Sequence, residues 1–337
     1  MDIFTTVVLR RVVRALPPPQ PFILNSFFRS EQLESTEEIH FDVDTGKRRI
    51  SPFVSPVVAG KVIAQRGFTT NVFKPAYIKD KRVFNPQNSL KRAIGERIGG
   101  ELSPGQRLQV KLASELTDQL EMLNRRLELM AVESLRRGKI TVTGDQYPTV
   151  EVDFGRHTDL TKALLTTARW GESGVEPLDD LDAWSLAVSL RSGGVANTVI
   201  MDAKAWQLFS ASAKVQKLLD RFRGSDKLES TVGGHGAKYM GNTGSFDIWV
   251  YTDWYEDPDT GAVTQYLPDY TVILTGQDLE GTRCYGAIQD EEAGFEAMPY
   301  FPKSWLEKDP SVRYLLMQSA PLIVPFRVNA SFCATVR

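Results

Sequence analysis

At 337 residues, 42% of them hydrophobic and 24% charged, the chain has the make-up of a folded protein of one large or two to three smaller domains, and disorder is not its default state. Its formal net charge of −2 hides an asymmetry: between Lys47 and Arg92 eleven lysines and arginines accompany the single acid Asp80, which leaves −12 on the rest of the chain. So uneven a balance speaks against one uniform surface and points to two faces with different partners.

The opening MDIFTTVVLRRVVRALPPP carries Arg10, Arg11 and Arg14 after its short apolar run, the reverse of a secretory signal. Phe4, Val8, Val12 and Ala15 or Leu16 recur at helical spacing and predict a short amphipathic helix stopped by Pro17–Pro19. The apolar stretch PFILNSFFRS (21–30) belongs to no long periodic element and is expected to lie against the chain's own body or a neighbour. Residues 36–60 read as short strands broken at Gly46, Pro52, Pro56 and Gly60; residues 60–87 are β-prone and basic, with no long apolar face.

Residues 104–137 carry the clearest signal. Leu108, Leu112, Leu116, Leu120, Leu123, Leu127, Met130 and Leu135 form one stripe, Ser103 and Pro104 suit the start, and Arg136, Arg137 and Gly138 suit the end. Such a helix is about 50 Å long, and with no partner helix of similar length it is expected to lie across a sheet rather than in a coiled coil. Residues 138–156, GKITVTGDQYPTVEVDFGR, alternate about a turn and predict a hairpin. From Leu160 the pattern is mixed: a helix over about Asp179–Leu190, a strand NTVIM, helices over DAKAWQLFS and AKVQKLLDRF, and strands through FDIWVYTDWY, YTVILTG and CYGAIQD. The end, residues 312–337, reads as two strands with a turn near Pro325–Asn329. The fold class is α+β.

Residues suited to catalysis are sparse. His40, His157 and His235 stand far apart in the sequence, and HExxH, G-x-S-x-G and P-loop patterns are missing. GGHG (233–236) reads as a plain loop, and EPLDDLD (176–182) as capping and dipole complementation ahead of a helix. The aromatic residues show no basic interleaving of the kind single-stranded nucleic acid requires. Cys284 and Cys333, with no CxxC, fit a reducing cytoplasm, and no run approaches the roughly 18 apolar residues of a membrane span, so a soluble protein is expected. Neither a catalytic site, a cofactor nor a metal is expected.

Six stretches in this order, VSPVVAGKVIAQRG (54–67), FNPQNSLKR (84–92), GKITVTGD (138–145), VEVDFGR (150–156), YGAIQDEEAG (285–294) and MQSAPL (317–322), resemble the lambda-type major head proteins, the phage major capsid protein E family. The likeness runs from about residue 25 to 325. It implies the Hong Kong 97-type phage capsid fold: an N-terminal arm (1–47), an extended E-loop hairpin (48–95), a peripheral domain (96–159 and 296–337) with the spine helix 104–137, and an axial domain (160–295). It implies a major capsid protein of a tailed double-stranded DNA bacteriophage, forming homo-hexamers and homo-pentamers of an icosahedral head around the genome. Assembly in the host cytoplasm and residence in the virion follow, with a decoration or cement protein, scaffold, portal and maturation protease as partners. No membrane partner is implied, and packaged DNA meets the chain only by non-specific proximity at the inner surface. The wider fold includes relatives with a Lys–Asn cross-link, but the lambda-type branch relies on decoration, and decoration is expected here. Under this resemblance the basic segment is an assembly device. Two arms of about 20 residues reach up to about 65 Å, against a radius of gyration of about 20 Å for a compact body of this length. Arg48, Arg49, Lys61, Arg66, Lys74, Lys79, Lys81 and Arg82 are expected to meet acidic surface on a neighbouring subunit rather than DNA. The alternatives are the shell of a bacterial nanocompartment of the same fold and a soluble enzyme with a β insertion.

Overall fold

A computed structural model of the chain describes residues 4–16, 20–36, 38–44, 50–51, 68–73, 75, 77–84, 102–144, 147–219, 236–308 and 312–337. The breaks expected at Gly46, Pro52, Pro56 and Gly60, the FNPQNSLKR stretch beyond Phe84 and most of the GGHG loop lie outside these residues. In chain order the elements are α1 (Thr6–Ala15), α2 (Phe22–Phe27), β1 (Ser30–Leu33), β2 (Ile39–Asp44), β3 (Phe68–Phe73), β4 (Ile78–Phe84), α3 (Pro104–Arg137), β5 (Lys139–Gly144) and β6 (Tyr147–Asp153). They continue with β7 (Thr161–Ala163), α4 (Pro177–Ser192), β8 (Thr198–Met201), α5 (Ala203–Ala211), α6 (Ala213–Leu218), β9 (Ala237–Asn242), β10 (Asp247–Tyr251), β11 (Trp254–Glu256) and β12 (Val263–Gln265). Last come β13 (Thr271–Thr275), β14 (Gly281–Tyr285), β15 (Phe301–Glu307), β16 (Val312–Ser319), β17 (Pro321–Pro325) and β18 (Phe332–Thr335).

The long helix forms where its periodicity and caps predict. Ser103 closes a capping box with Gln106, whose backbone amide donates to Ser103 Oγ (3.3 Å) while the Ser103 amide donates to Gln106 Oε1 (2.8 Å). Gly138 ends the helix at φ 66°, in the left-handed region where a side chain is disfavoured. The stripe from Leu112 to Leu135 is buried, and it serves two separate cores. Its first half packs with α1 and β16, through Leu9, Val13, Leu112, Leu116, Leu120, Leu315 and Met317. Its second half joins the main core with α2, the β5–β6 hairpin and β17. No helix among the described residues is long and apolar enough to cross a membrane.

A six-stranded sheet, β7-β18-β13-β8-β10-β9, divides the rest of the apolar side chains by its two-residue period. Ile200, Ile273 and Cys333 face the main core with α3, while Val199, Met201, Val272, Leu274, Phe332 and Ala334 face a second core covered by α4 and α5. That second core stacks Trp170 on Trp184 (5.9 Å) and Trp184 on Phe332 (5.0 Å). Of the EPLDDLD acids, Asp179 and Asp180 occupy the first turn of α4 as expected, but Glu176 makes no side-chain cap. Asp180 instead accepts from Trp170 Nε1 (2.9 Å), and Asp179 pairs with Lys214.

Two expectations change. The C-terminal stretch forms three strands, not two, because the apolar run splits at Ala320: β16 pairs with β15 and β4, and β17 pairs with β14 in a different sheet. The pairing also crosses the expected domain division. β18, placed with the peripheral elements, lies between β7 and β13 in the large sheet, while β14, placed in the axial span, pairs with β1 and β17. Of the two placements open to the apolar stretch 21–30, it takes its own body: Phe22, Ile23, Leu24, Phe27 and Phe28 are all buried in the main core. Burial of an apolar side chain of this size is worth about 1.5–3 kcal/mol, so this part of the arm is core rather than appendage.

Candidate assembly surface

The basic segment enters the described structure through two pairings. β2 and β3 form an antiparallel ladder from Ile39↔Phe73 to Asp44↔Phe68, which takes in residues ahead of the 48 expected to open the extended hairpin. β4 then joins the edge of the β15-β16-β4 sheet, with Lys79 opposite Gln318, Asp80 opposite Met317, Lys81 opposite Leu316 and Arg82 opposite Leu315. Strand alternation sends these side chains to opposite faces.

Asp80 and Arg82 share the face that carries buried Leu315 and Met317 and meets α3. Arg82 reaches Asp80 (3.2 Å), Glu115 (2.9 Å) and Asp118 (2.7 Å), the last two one turn apart on α3. Partial burial opposes its charge, but Glu115, Asp118 and Asp80 outweigh that and hold the guanidinium more firmly protonated than usual. Gln119 Nε2 donates to the Asp80 carbonyl (3.0 Å), so strand and helix are tied by backbone as well as by charge. Beside this tether lies a cleft of about 270 Å³ lined by Lys79, Asp80, Gln119, Met122, Arg126 and Gln318, among others.

Lys79 and Lys81 take the other face and are exposed. The Lys81 ammonium lies 4.0 Å from the Tyr314 ring centre and 5.3 Å from that of Trp305, and Lys79 lies 5.1 Å from that of Tyr77. An acidic turn covers the neighbouring part of this face. Lys303 bonds both oxygens of Asp290 (3.0 and 3.1 Å) and reaches Glu292 (3.3 Å); Gln318 Nε2 also donates to Asp290 (3.0 Å). Partial burial would raise the Asp290 carboxyl, but Lys303 and Gln318 prevail and hold it below its ordinary range. The turn ends at Phe295, an exposed aromatic at φ 57°.

Of the eight basic residues singled out in the sequence, Lys79 and Lys81 are therefore presented outward, and Arg82 is held inside its own chain. Arg48, Arg49, Lys61, Arg66 and Lys74 lie outside the described residues. His40 is exposed on β2, His157 contacts Asp159, and His235 is outside the description. Among the described residues no group of three or more His, Cys, Asp or Glu is placed to hold a metal ion. Cys284 and Cys333 are free and buried, and burial pushes the Cys284 thiol up to about 12.

Sequence reasoning passed over Glu128. It is fully buried on α3, where Oε1 accepts from the Ile23 amide (2.8 Å) and the Tyr251 hydroxyl (2.9 Å) and Oε2 from the Leu24 amide (2.8 Å). The available signal was an acid set inside the apolar run Leu127-Glu128-Leu129-Met130, on the side of the helix that carries the stripe.

Residues 5–336 match the family described as phage major capsid protein E. The chain is 33% identical over 334 residues to the major capsid protein of Escherichia phage lambda, and 35% identical over 331 residues to that of Enterobacteria phage P21. Each alignment covers 96% of both chains. Its fold is similar to the crystal structure of a prophage capsid protein from E. coli CFT073, with a TM-score of 0.79, 24% identity and 100% of both chains covered.

Proposed function

The chain belongs to the phage major capsid protein E family, and from that premise we propose how its surfaces build a shell. It is a capsid structural protein with the Hong Kong 97-type fold, self-assembling and not an enzyme, and its place is the virion capsid. The observation that carries this is the family match over residues 5–336, which takes in the arm, the basic segment, the long helix and the six-stranded sheet.

Copies associate as homo-hexamers and homo-pentamers, formed in the host cytoplasm with scaffold, portal and protease, and a decoration protein reinforces the finished shell around DNA. Residues 48–95, with the β2–β3 ladder that precedes and enters them, act as the loop laid over a neighbour. The long helix with the β5–β6 hairpin is the peripheral spine, and the 160–295 span with β18 is the axial body. Lys79 and Lys81, together with Arg48, Arg49, Lys61, Arg66 and Lys74, pair with acidic surface on the adjacent copy. Arg82 serves the same contact from inside, by fixing the root of the loop to its own helix. The outward position of Lys79 and Lys81 on an edge strand supports this division. Each contact is modest, and closed symmetry repeats it around the shell.

The test is charge reversal with the fold monitored. Lys79→Glu with Lys81→Glu should leave thermal unfolding of the subunit nearly unchanged and sharply reduce shells and rings seen by light scattering and negative-stain electron microscopy, with scaffold supplied. Shell yield equal to the parent's would remove these lysines from the interface. A parent protein that stays monomeric with scaffold would overturn the assembly scheme itself.

A further inference from the structure

Glu128 is the buried carboxylate of the long helix, and both of its oxygens accept from other segments of the chain. Its three donors come from α2 (Ile23 and Leu24 amides) and β10 (Tyr251 hydroxyl), more than 100 residues away on either side. No ion pair reaches it among the described residues. The titratable groups facing it are Tyr251 at the end of β10, Asp253 just after that strand, and Tyr266, whose hydroxyl donates to the Arg125 carbonyl (3.2 Å). α2 has no titratable side chain. Arg283 grips the opposite end of that helix, through the Phe28 carbonyl (2.7 Å), the Leu24 carbonyl (3.1 Å) and Asn25 Oδ1 (2.7 Å). The short helix is thus held by an acid at its amide end and a cation at its carbonyl end, each matching the local dipole.

We propose that Glu128 is a proton-sensitive pin that fastens the arm helix and the large sheet to the long helix, tight when protonated and looser when ionised. The geometry sets the sense of the switch. A fully buried carboxylate with no cation paired to it among the described residues, set beside Tyr251 and Tyr266 and repelled by Asp253, is disfavoured in its charged form. Two amides and a hydroxyl offset part of that penalty. The balance leaves the carboxyl pushed up to about 7, by burial first of all. Once protonated, Glu128 can still accept from both amides and can donate to the Tyr251 oxygen, so no hydrogen bond need be lost. Because the folded chain holds a proton that the unfolded chain has released, stability attached to this junction is full at low pH. It falls as pH rises from the ordinary carboxylate range through about 7 and levels off above.

Hydrogen exchange of the full-length chain, read by mass spectrometry on peptides covering 20–29 and 247–253, tests this. After correction for intrinsic rates, opening of both peptides should rise by up to about tenfold between about pH 6 and pH 8. Glu128→Gln, which keeps the shape and cannot ionise, should flatten that dependence. Tyr251→Phe removes a donor that favours the charged form, and should move the midpoint to higher pH. Parent and Glu128→Gln chains with the same pH profile would overturn the proposal. If Glu128→Gln does not fold, an unmoved midpoint in Tyr251→Phe overturns it and an upward shift supports it. The readout is on the subunit and is independent of whether shells form.

Discussion

Replacing Arg82 with Gln removes the guanidinium that ties β4 to α3. Arg82 is 21% exposed and its partners differ: Asp80 and Glu115 are 24% and 33% exposed, Asp118 is 53%. The Asp118 contact is largely in water and should contribute only about 0.2–1 kcal/mol after screening. The Glu115 contact is a short charge-assisted bond in a more enclosed place, worth about 1–1.5 kcal/mol. Without the guanidinium, Asp80, Glu115 and Asp118 face one another uncompensated, which adds a few tenths more. The substitution should therefore cost about 1.5–3 kcal/mol in denaturant unfolding. Double-mutant cycles with Glu115→Gln and Asp118→Asn should return couplings of about 1 and about 0.5 kcal/mol. Added salt should erode the Asp118 coupling first. A Glu115 coupling below about 0.3 kcal/mol would refute the tether, as would an Arg82→Met chain as stable as the parent.

Other consequences follow from the packing and the charges. Leu116→Ala, at the buried contact of α3 with α1 and β16, should cost about 2–4 kcal/mol in the same assay, and a loss under about 1 kcal/mol would mean that this smaller core is not fully formed. Gly281→Ala should be worse tolerated than its size suggests, because a Cβ there meets the Phe27 carbonyl at 2.4 Å and the Phe28 ring at 2.5 Å; a loss of at least about 2 kcal/mol, with faster exchange in residues 22–33, is expected. Asp290 is held below its ordinary carboxylate range, so its contribution is present above that range and is lost as pH falls through it. Asp290→Asn should remove that part of the acid limb of the stability profile, and an unchanged acid limb would show that the Lys303 contact is of no consequence.

The sequence made the long helix legible because three independent signals coincide on it: a stripe of leucines, Ser103 and Pro104 at one end, and Gly138 at the other. The hairpin after it was legible by alternation about one turn. The destination of the arm was not. Nothing local to PFILNSFFRS says that its amides meet Glu128 more than 100 residues later, or that Arg283 takes its carbonyls. β7 is a three-residue strand with every side chain exposed and exists only because β18 lies beside it, a pairing that no composition announces. The split at Ala320 was hidden for the opposite reason: residues 312–325 are uniformly strand-like, and only the change of partners from β15 and β4 to β14 divides them.

The charge of the basic segment shows where counting residues stops being informative. Summed along the chain, Asp80 is one acid diluted among many cations. On a strand, the count divides by face, and Asp80 falls with Arg82 on the side turned to α3, where Glu115 and Asp118 already wait. That side carries more acid than base, and the Arg82 charge is spent within its own chain. The side left over carries Lys79 and Lys81, whose described contacts are aromatic rings rather than carboxylates, so their charge remains available to an outside acid. The two substitutions thus separate what the net charge blends: Arg82→Gln should weaken the subunit and assembly together, whereas the paired lysine reversals should weaken assembly alone. If both sets lowered subunit stability to the same extent, the division by face would be wrong, and the segment would be stabilised mainly within its own chain.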